Sequence, residues 1–553
     1  MELFLRTLKS FSRREKWVLL VSVPVLVLCL TTLLVRGIFS LGGNKVQIYS
    51  EGLVGELTRL NPIFTSYSQA DADISSLIFS GLVKYNAVTG TFEEDLATHT
   101  LSEDHLTYTF TLKNNLFWHD GTEVTADDVY YTFAEVMQSG DFENNFLKAN
   151  FMGVTIAEPN SRTITFTLES PNSFFFTALT VGILPKHILA DTPVSELDSS
   201  DFNLAPIGTG PYKVDGPYTV DGNGTATVTL TAFDGFYGAK PNIKNLRFTV
   251  FQNFELLTGN RSMWHGTAEL TQNSLDQMDL SGLVTFKYEL PQYTALFFNT
   301  DSPYLSKNKV RLGLSKAIDK EALLAAIKYK VAIDTPLLEL DQKDWIHTFN
   351  LSEASGALYD SGWLLPEGTV PGTGTRQNAD GKALSLRLIR RDFSDTSDIQ
   401  EEIARLSAEM IKSDLAAVGV EVTIESYQSA ILSDKIAKRD YDLLLYGQSL
   451  GNNLDTFAFF HSSQVGETGY NLSNYQSPVA DTDIMKIRAT FDESERTSLL
   501  NHLAETIAED VPAVFLYTPS YYYAVDTKIT GISYQKLLLP EDRFSNIAEW
   551  EIN

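Results

Sequence analysis

The chain has 553 residues, a formal net charge of −27, an apolar fraction of 43% and a single cysteine. That length exceeds what one hydrophobic core usually holds, so two or more lobes are expected, and the composition is that of a folded body rather than a disordered one. The acidic excess argues against nucleic acid or anionic membrane surfaces as partners, since both require a basic footprint, and one cysteine, Cys29, excludes an intrachain disulfide or a thiolate metal cluster.

Trp17 to Val35 is an uncharged apolar run long enough to cross a bilayer as a helix, with Pro24 inside it. Arg6, Lys9, Arg13, Arg14 and Lys16 precede it, and only Arg36 and Lys45 follow closely, which places the N-terminus in the cytoplasm. An uncleaved signal anchor is expected, because the run is longer than a usual signal-peptide core. Cleavage after Gly42, with the small Ser40 two positions earlier, is the alternative; Leu28 before Cys29 speaks against a lipoprotein site. Either way the body is exported.

Leu60-Asn61-Pro62 followed by Ile78 to Val83 reads as loop, helix and a return towards a strand. Leu106, Tyr108, Phe110 and Leu112 alternate with threonines, the period of a half-buried strand. Asp120-Gly121 then turns the chain, and Thr125 with Asp128 predicts a capped helix start. Leu116 to Phe133 is thus a strand end, a turn and a helix start, with His119-Asp120 as a turn pair. Ile164, Phe166 and Leu168 alternate next, and Ala226, Val228 and Leu230 after them. Between these strands, Pro206 to Tyr212 (PIGTGPY) has glycines that suggest a phosphate loop. It lacks the Walker spacing and its two prolines donate no amide, so a structural bend is expected.

Arg311, on a helix, reads as salt-bridged or solvated, and Ala332 to Gly381 as loop or surface insertion. Beyond lies an α/β unit. Leu384, Leu386 and Leu388 alternate, Ile399 to Val418 has helical spacing, and Val420, Val422 and Ile424 alternate again, which implies a parallel pair with a crossover helix. Further strands are expected at Asp442 to Tyr446 and Val514 to Tyr517.

Two constellations suggest chemistry. Gly447-Gln448-Ser449-Leu450-Gly451 fits G-x-S-x-G after an apolar strand, so a serine hydrolase is the alternative function, with His461 or His502 and Asp455, Asp481 or Asp483 as partners. Against it, no oxyanion loop precedes Ser449 and little chain follows. The eight histidines are scattered, and neither Asp71 with Asp73 nor Asp481 with Asp483 sits in an EF-hand loop, so neither metal nor cofactor is expected.

Several of these stretches together carry a resemblance. LFWHDGTEVTADDVYYTF, PIGTGPY, the Phe297-Phe298-Asn299-Thr300 to Val310-Arg311 to Ala317-Ile318-Asp319-Lys320 series and the closing RFSNIAEW resemble, in order and spacing, the family 5 extracellular solute-binding proteins, the oligopeptide- and dipeptide-binding class of ABC importers. Gly313 stands where that family usually has alanine. The resemblance implies an α/β, two-lobed periplasmic-binding-protein-like fold (type II, large peptide-binder cluster) with mixed sheets. Residues 1–45 would be a basic segment plus transmembrane anchor, 46–290 a first lobe with an accessory subdomain at about 83–200, 291–522 a second lobe, and 523–553 the return to the first.

It also implies a receptor, not an enzyme. A short peptide or similar small solute would be captured between the lobes and delivered to ABC transporter permease subunits, with the membrane reached through the N-terminal helix and the body extracytoplasmic. Ligand-binding residues carried over by position are Ser66, Tyr67 and Ser68 in an opening loop, Tyr293 near the first crossing between lobes, and Gln448, Ser449, Asn452, Asn453 and Asp455. The last loop departs from the family, in which an acid often meets a peptide's amino terminus. No acid stands between Asp442 and Asp455, and Asp455 is either the surviving anchor or, as the first reading, a cap for the TFAFF helix.

Overall fold

The computed structural model describes residues 47–65, 68–328, 331–338, 340, 348–369, 372–394, 398–451, 455–467 and 469–553. The expected anchor at Trp17 to Val35 lies outside the described residues; among those described, no helix is long and apolar enough to cross a membrane. Apart from Ile48, the first residue of a strand, the sheets and cores belong to the unit Tyr49–Asn553.

The threonine-alternating segments build a four-stranded antiparallel sheet in the order Ala97–Leu101, Thr107–Leu112, Thr163–Thr167, Thr155–Asn160. Threonine suits such strands because its branched side chain fits the pleat while its hydroxyl stays wet. The apolar faces of these strands, with Phe110, Ile164 and Phe166 fully buried, join Trp118, Phe133, Phe151 and Phe175 in one core.

A second sheet has eight strands, seven of them running in the order Leu283–Glu289, Ser520–Asp526, Gly266–Leu270, Ile48–Val54, Asn245–Phe251, Ala226–Ala232, Tyr212–Val214, with Thr219–Val220 beside Ala226. It is mixed: Glu51 lies in parallel register with Gly266, and most other pairs are antiparallel. Its core contains Tyr49, Tyr523, Phe544 and Trp550.

The third sheet has the order Glu421–Tyr427, Ser385–Arg391, Leu443–Ser449, Gln292–Phe298, Ala513–Tyr517. Ser385–Arg391 runs parallel to Glu421–Tyr427, with helix Asp398–Ala417 as the crossover, as the sequence predicts. Alternation along Gln292–Phe298 divides two cores. Leu296 and Phe298 face one that includes Ile327 and Ile403; Tyr293, Ala295 and Phe297 face another with Phe459, Phe460 and Phe515.

One expectation is corrected. The stretch Ala332 to Gly381 contains a ten-residue helix, Leu351–Asp360, whose Ala354 and Leu358 are buried. It docks on helix Asn308–Ala317 at Gly313, where a Cβ would stand 3.0 Å from Leu358 Cγ. Only Leu351, Ala354 and Leu358 mark its apolar stripe, too few to stand out among flanking prolines and glycines. Arg311 on the docking helix is 6% exposed and bonds the carbonyls of Leu305, Asp510 and Val511, so it is a buried tie rather than a solvated residue.

The chain passes between the second and third sheets twice, side by side. Leu290-Pro291 joins Leu283–Glu289 to Gln292–Phe298, and Thr518-Pro519 joins Ala513–Tyr517 to Ser520–Asp526. The strands pair on both sides of these links, Glu289 with Ser520 and Thr294 with Tyr517. Each link contains a proline, which cannot donate to a ladder, so the ribbon is interrupted where it leaves one sheet for the other. This is a two-lobed α/β fold with two short, adjacent connections that run in opposite directions.

Candidate functional site

Immediately beyond the first link, Tyr293 is 1% exposed and its hydroxyl donates to Gln448 Oε1 at 2.7 Å. The two are direct partners in the antiparallel register, and Gln448 Nε2 donates in turn to the Tyr470 carbonyl at 3.0 Å. The loop after Ser449 is tied to the link itself, with Leu450 N–H donating to the Pro291 carbonyl at 2.8 Å. Gln292 Nε2 donates across to Tyr521 Oη at 2.7 Å, bracing the crossing from the other side. Tyr293, Gln448 and Ser449 are therefore brought together at the connection between lobes. Asn452 and Asn453 lie outside the described residues.

Asp455 is engaged within the protein. Its Oδ1 accepts from Phe457 N–H at 3.0 Å, at the start of helix Phe457–Phe460, and its Oδ2 lies 3.0 Å from Arg488 Nε. Burial raises its pKa, with Arg488 pulling the other way. Arg488 also stacks over Phe457, 4.4 Å from the ring centroid.

Ser68 caps helix Gln69–Ile78, accepting from Asp71 N–H at 3.4 Å and donating to the Glu56 carbonyl at 2.6 Å. Ser66 and Tyr67 lie outside the described residues. The far end of the same helix is held by the two motifs that the sequence treats as framework. Gly210 N–H donates to the Ile78 carbonyl at 2.7 Å and Thr209 Oγ1 accepts from Ser80 N–H at 3.1 Å. His119 clips the bend from its other side: its N–H donates to the Gly208 carbonyl at 2.9 Å, and its Nδ1 accepts from Gly208 N–H at 3.2 Å. With Nδ1 accepting, Nε2 carries the proton and donates to the Gly210 carbonyl at 3.1 Å. Burial lowers the pKa of His119 to about 4, so the ring is neutral at neutral pH, as this pattern requires. Asp120 is the partner of His187, 2.9 Å away, rather than of His119.

The sequence reading misses a buried ionic cluster beside this helix. Arg543, fully buried, places Nη2 2.5 Å from Asp73 Oδ2 and Nε 3.2 Å from Glu51 Oε1. Gln69 Nε2 donates both to Asp73 and to Glu541, at 3.1 and 2.9 Å. Asp71 turns elsewhere, accepting from Thr58 and Arg59 N–H, each at 2.9 Å, so Asp71 and Asp73 do not converge on a cation. Asp481 and Asp483 likewise face Ser462 and His502. Among the described residues no three His, Cys, Asp or Glu side chains are grouped to hold a metal ion.

Glu541 supplies a pH signature. Burial, then the charge of Asp73, raises its pKa to about 7. The folded protein holds a proton there that the unfolded chain releases near the usual carboxylate range. This stabilisation is complete below about pH 4.5 and is lost as the pH rises through 7. His119 acts with opposite sign but is exhausted once the unfolded imidazole has titrated, near pH 6.5. Between pH 6.5 and 8.5 the melting temperature is expected to fall, and to fall less in Glu541→Gln, in a buffer series of thermal melts. An equal slope in both proteins would refute the assignment.

The G-x-S-x-G pattern does not form a nucleophile elbow. Ser449 remains in the strand, paired with Gln292, and its hydroxyl accepts a 3.3 Å bond from Gly451 N–H. His461 Nδ1 is 2.9 Å from Ser463 Oγ and His502 Nδ1 is 2.6 Å from Asp483 Oδ2, so neither ring is directed to the serine.

Known proteins resemble this chain over nearly its whole length. The family model "Bacterial extracellular solute-binding proteins, family 5 Middle" matches residues 91–471. The chain is 25% identical over 542 residues to the oligopeptide-binding protein AppA of Bacillus subtilis (strain 168), covering 92% of this chain and 91% of the relative. It is 25% identical over 530 residues to a dipeptide-binding protein of Escherichia coli (strain K12), covering 88% and 92%. The crystal structure of NikZ from Campylobacter jejuni in complex with Ni(L-His) has the same fold, with a TM-score of 0.73, 24% identity and coverage of 91% of this chain and 99% of that one.

Proposed function

We propose, because the chain belongs to the bacterial extracellular solute-binding proteins of family 5, that it is the substrate receptor of an ABC-type importer, capturing a short peptide between its lobes and handing it to a membrane permease. The observation that carries this reading is the pair of proline-containing links at Leu290-Pro291 and Thr518-Pro519. Two lobes connected covalently by two adjacent short links can rotate about one axis, and a solute touching both lobes shifts them towards the closed arrangement by its differential affinity.

In this reading residues 46–290 and the C-terminal return form the first lobe, and the five-stranded sheet and its helices form the second. By their positions in the sequence, Ser66, Tyr67 and Ser68 are assigned to solute binding from the first lobe, and Tyr293, Gln448, Ser449, Asn452 and Asn453 from the second. Asp455 contributes indirectly, since its carboxylate serves Arg488 and Phe457. The N-terminal segment, with Trp17 to Val35 as a transmembrane helix, tethers the extracytoplasmic body to the membrane and so raises its effective concentration at the permease. No hydrolytic role is assigned to Ser449, since His461 and His502 engage Ser463 and Asp483 instead.

Peptides are favoured because the relatives that align over nearly the whole chain are named for them, whereas NikZ, named in its complex with Ni(L-His), shares the fold. The test is a thermal-shift screen of the body from residue 45 onward against di- to nonapeptides, oligosaccharides and metal chelates. A ligand present at about 100 times its Kd stabilises by about 2.7 kcal/mol. A shift with peptides alone is expected; shifts with chelates or sugars and none with peptides would overturn the ligand class.

A further inference from the structure

The covalent links are not the only joins between the lobes. Phe174 is 9% exposed and belongs to the core on the Tyr293 face of the five-stranded sheet; every other buried member of that core lies between residues 293 and 515. One residue earlier, Ser173 N–H donates to the Arg488 carbonyl at 2.7 Å. His105, in the turn between strands Ala97–Leu101 and Thr107–Leu112, packs its ring 4.2 Å from that of Phe491.

Both sides of this contact are built to hold their shape. On the first lobe, Asn172 Oδ1 accepts from Phe174 N–H at 3.0 Å and the Asn172 carbonyl accepts from Tyr108 Oη at 3.1 Å. On the second, Arg488 near the end of helix Pro478–Ala489 is fixed by Asp455 and by the Phe457 ring. No chain passes through the contact. It can therefore part when the links bend, whereas the links cannot.

We propose that Ser173, Phe174 and His105 form a clasp on Arg488 and Phe491 that sets the balance between closed and open receptor, and through it the affinity for solute, with Asp455 a positioning residue of the clasp. The inference rests on the solute-binding reading. Exposing one phenylalanine ring shifts such a balance about 10- to 100-fold. A solute that binds only the closed form then binds more weakly in proportion to the lost closed fraction.

The test needs no solute, so a failed ligand screen leaves it standing. In the full-length chain in nanodiscs, with Cys29→Ser, spin labels are placed on Glu103→Cys and Glu495→Cys, and pulsed electron paramagnetic resonance reads the distance between lobes. The parent is expected to show a dominant short distance. Phe174→Ala should reduce the short-to-long ratio at least about tenfold. His105→Gly provides a second variant that folds readily, because His105 has φ 58° and glycine adopts that angle without strain; it too should lengthen the distance. A parent with only the long distance, or two variants indistinguishable from the parent, would overturn the clasp.

Discussion

Arg543→Met is expected to lower the stability of the body by about 3–5 kcal/mol. Arg543 is fully buried, and so are Glu51 and, to 1%, Asp73, so the guanidinium is the counter-ion of two carboxylates with no route to water. Its Nη1 also donates to the Pro540 carbonyl at 2.7 Å, and its Cζ lies 4.1 Å from the Phe544 ring centroid. Methionine fills much of the volume and keeps the apolar contacts, so the loss isolates the charge. Tyr49 and Tyr523, whose hydroxyls are 2.6 Å apart and which both bond Glu51, cannot replace a cation. Adding Glu51→Gln and Asp73→Asn to Arg543→Met should recover most of the loss, because a neutral network carries no unpaired charge. Urea denaturation midpoints measure both; a single-variant loss below about 1 kcal/mol would sit within ordinary point-mutation effects and sink the charge account.

Gly208→Ala should cost about 3 kcal/mol, through overpacking and lost hydrogen bonds together. A Cβ there would stand 2.0 Å from the Ile78 carbonyl oxygen and 2.7 Å from its carbon, both backbone atoms at the end of helix Gln69–Ile78. The helix and the PIGTGPY bend would have to separate. That would strain the Gly210 to Ile78 bond and both bonds between His119 and Gly208. The control is Gly140→Ala, where a Cβ meets nothing within 4 Å. It should change stability by less than about 0.5 kcal/mol. Equal melting temperatures for the two alanine variants would dismiss the steric account.

Legibility in the sequence follows the range of the interactions. The strands rich in threonine are legible because their pattern is local: every second residue of Thr107–Leu112 is buried. The bend at Pro206 to Tyr212 is legible as structure, but its reason is not, since Gly208 is needed by Ile78, 130 positions away in a sequence that gives no sign of the approach. RFSNIAEW can be recognised as a family ending while the role of its arginine stays hidden, because Glu51 is 492 positions distant. The candidate site divides similarly. Tyr293 and Gln448 meet as strand neighbours, a pairing that topology decides and periodicity does not. Asp455 is legible as a helix-start residue; its partner Arg488, which connects it to the contact with Ser173, is not.

The separation between Glu51 and Arg543 also has a consequence for how the molecule is made. A ribosome delivers Glu51 492 residues before Arg543, and the strands Ile48–Val54 and Ser520–Asp526 flank the same neighbour, Gly266–Leu270. The strands of the five-stranded sheet all lie within residues 292–517. The lobe that holds Glu51 and Asp73 is thus completed only after Arg543 has been made, and until then these two carboxylates lack that cation. Contacts of such sequence separation close slowly, so this lobe is expected to form after the five-stranded sheet.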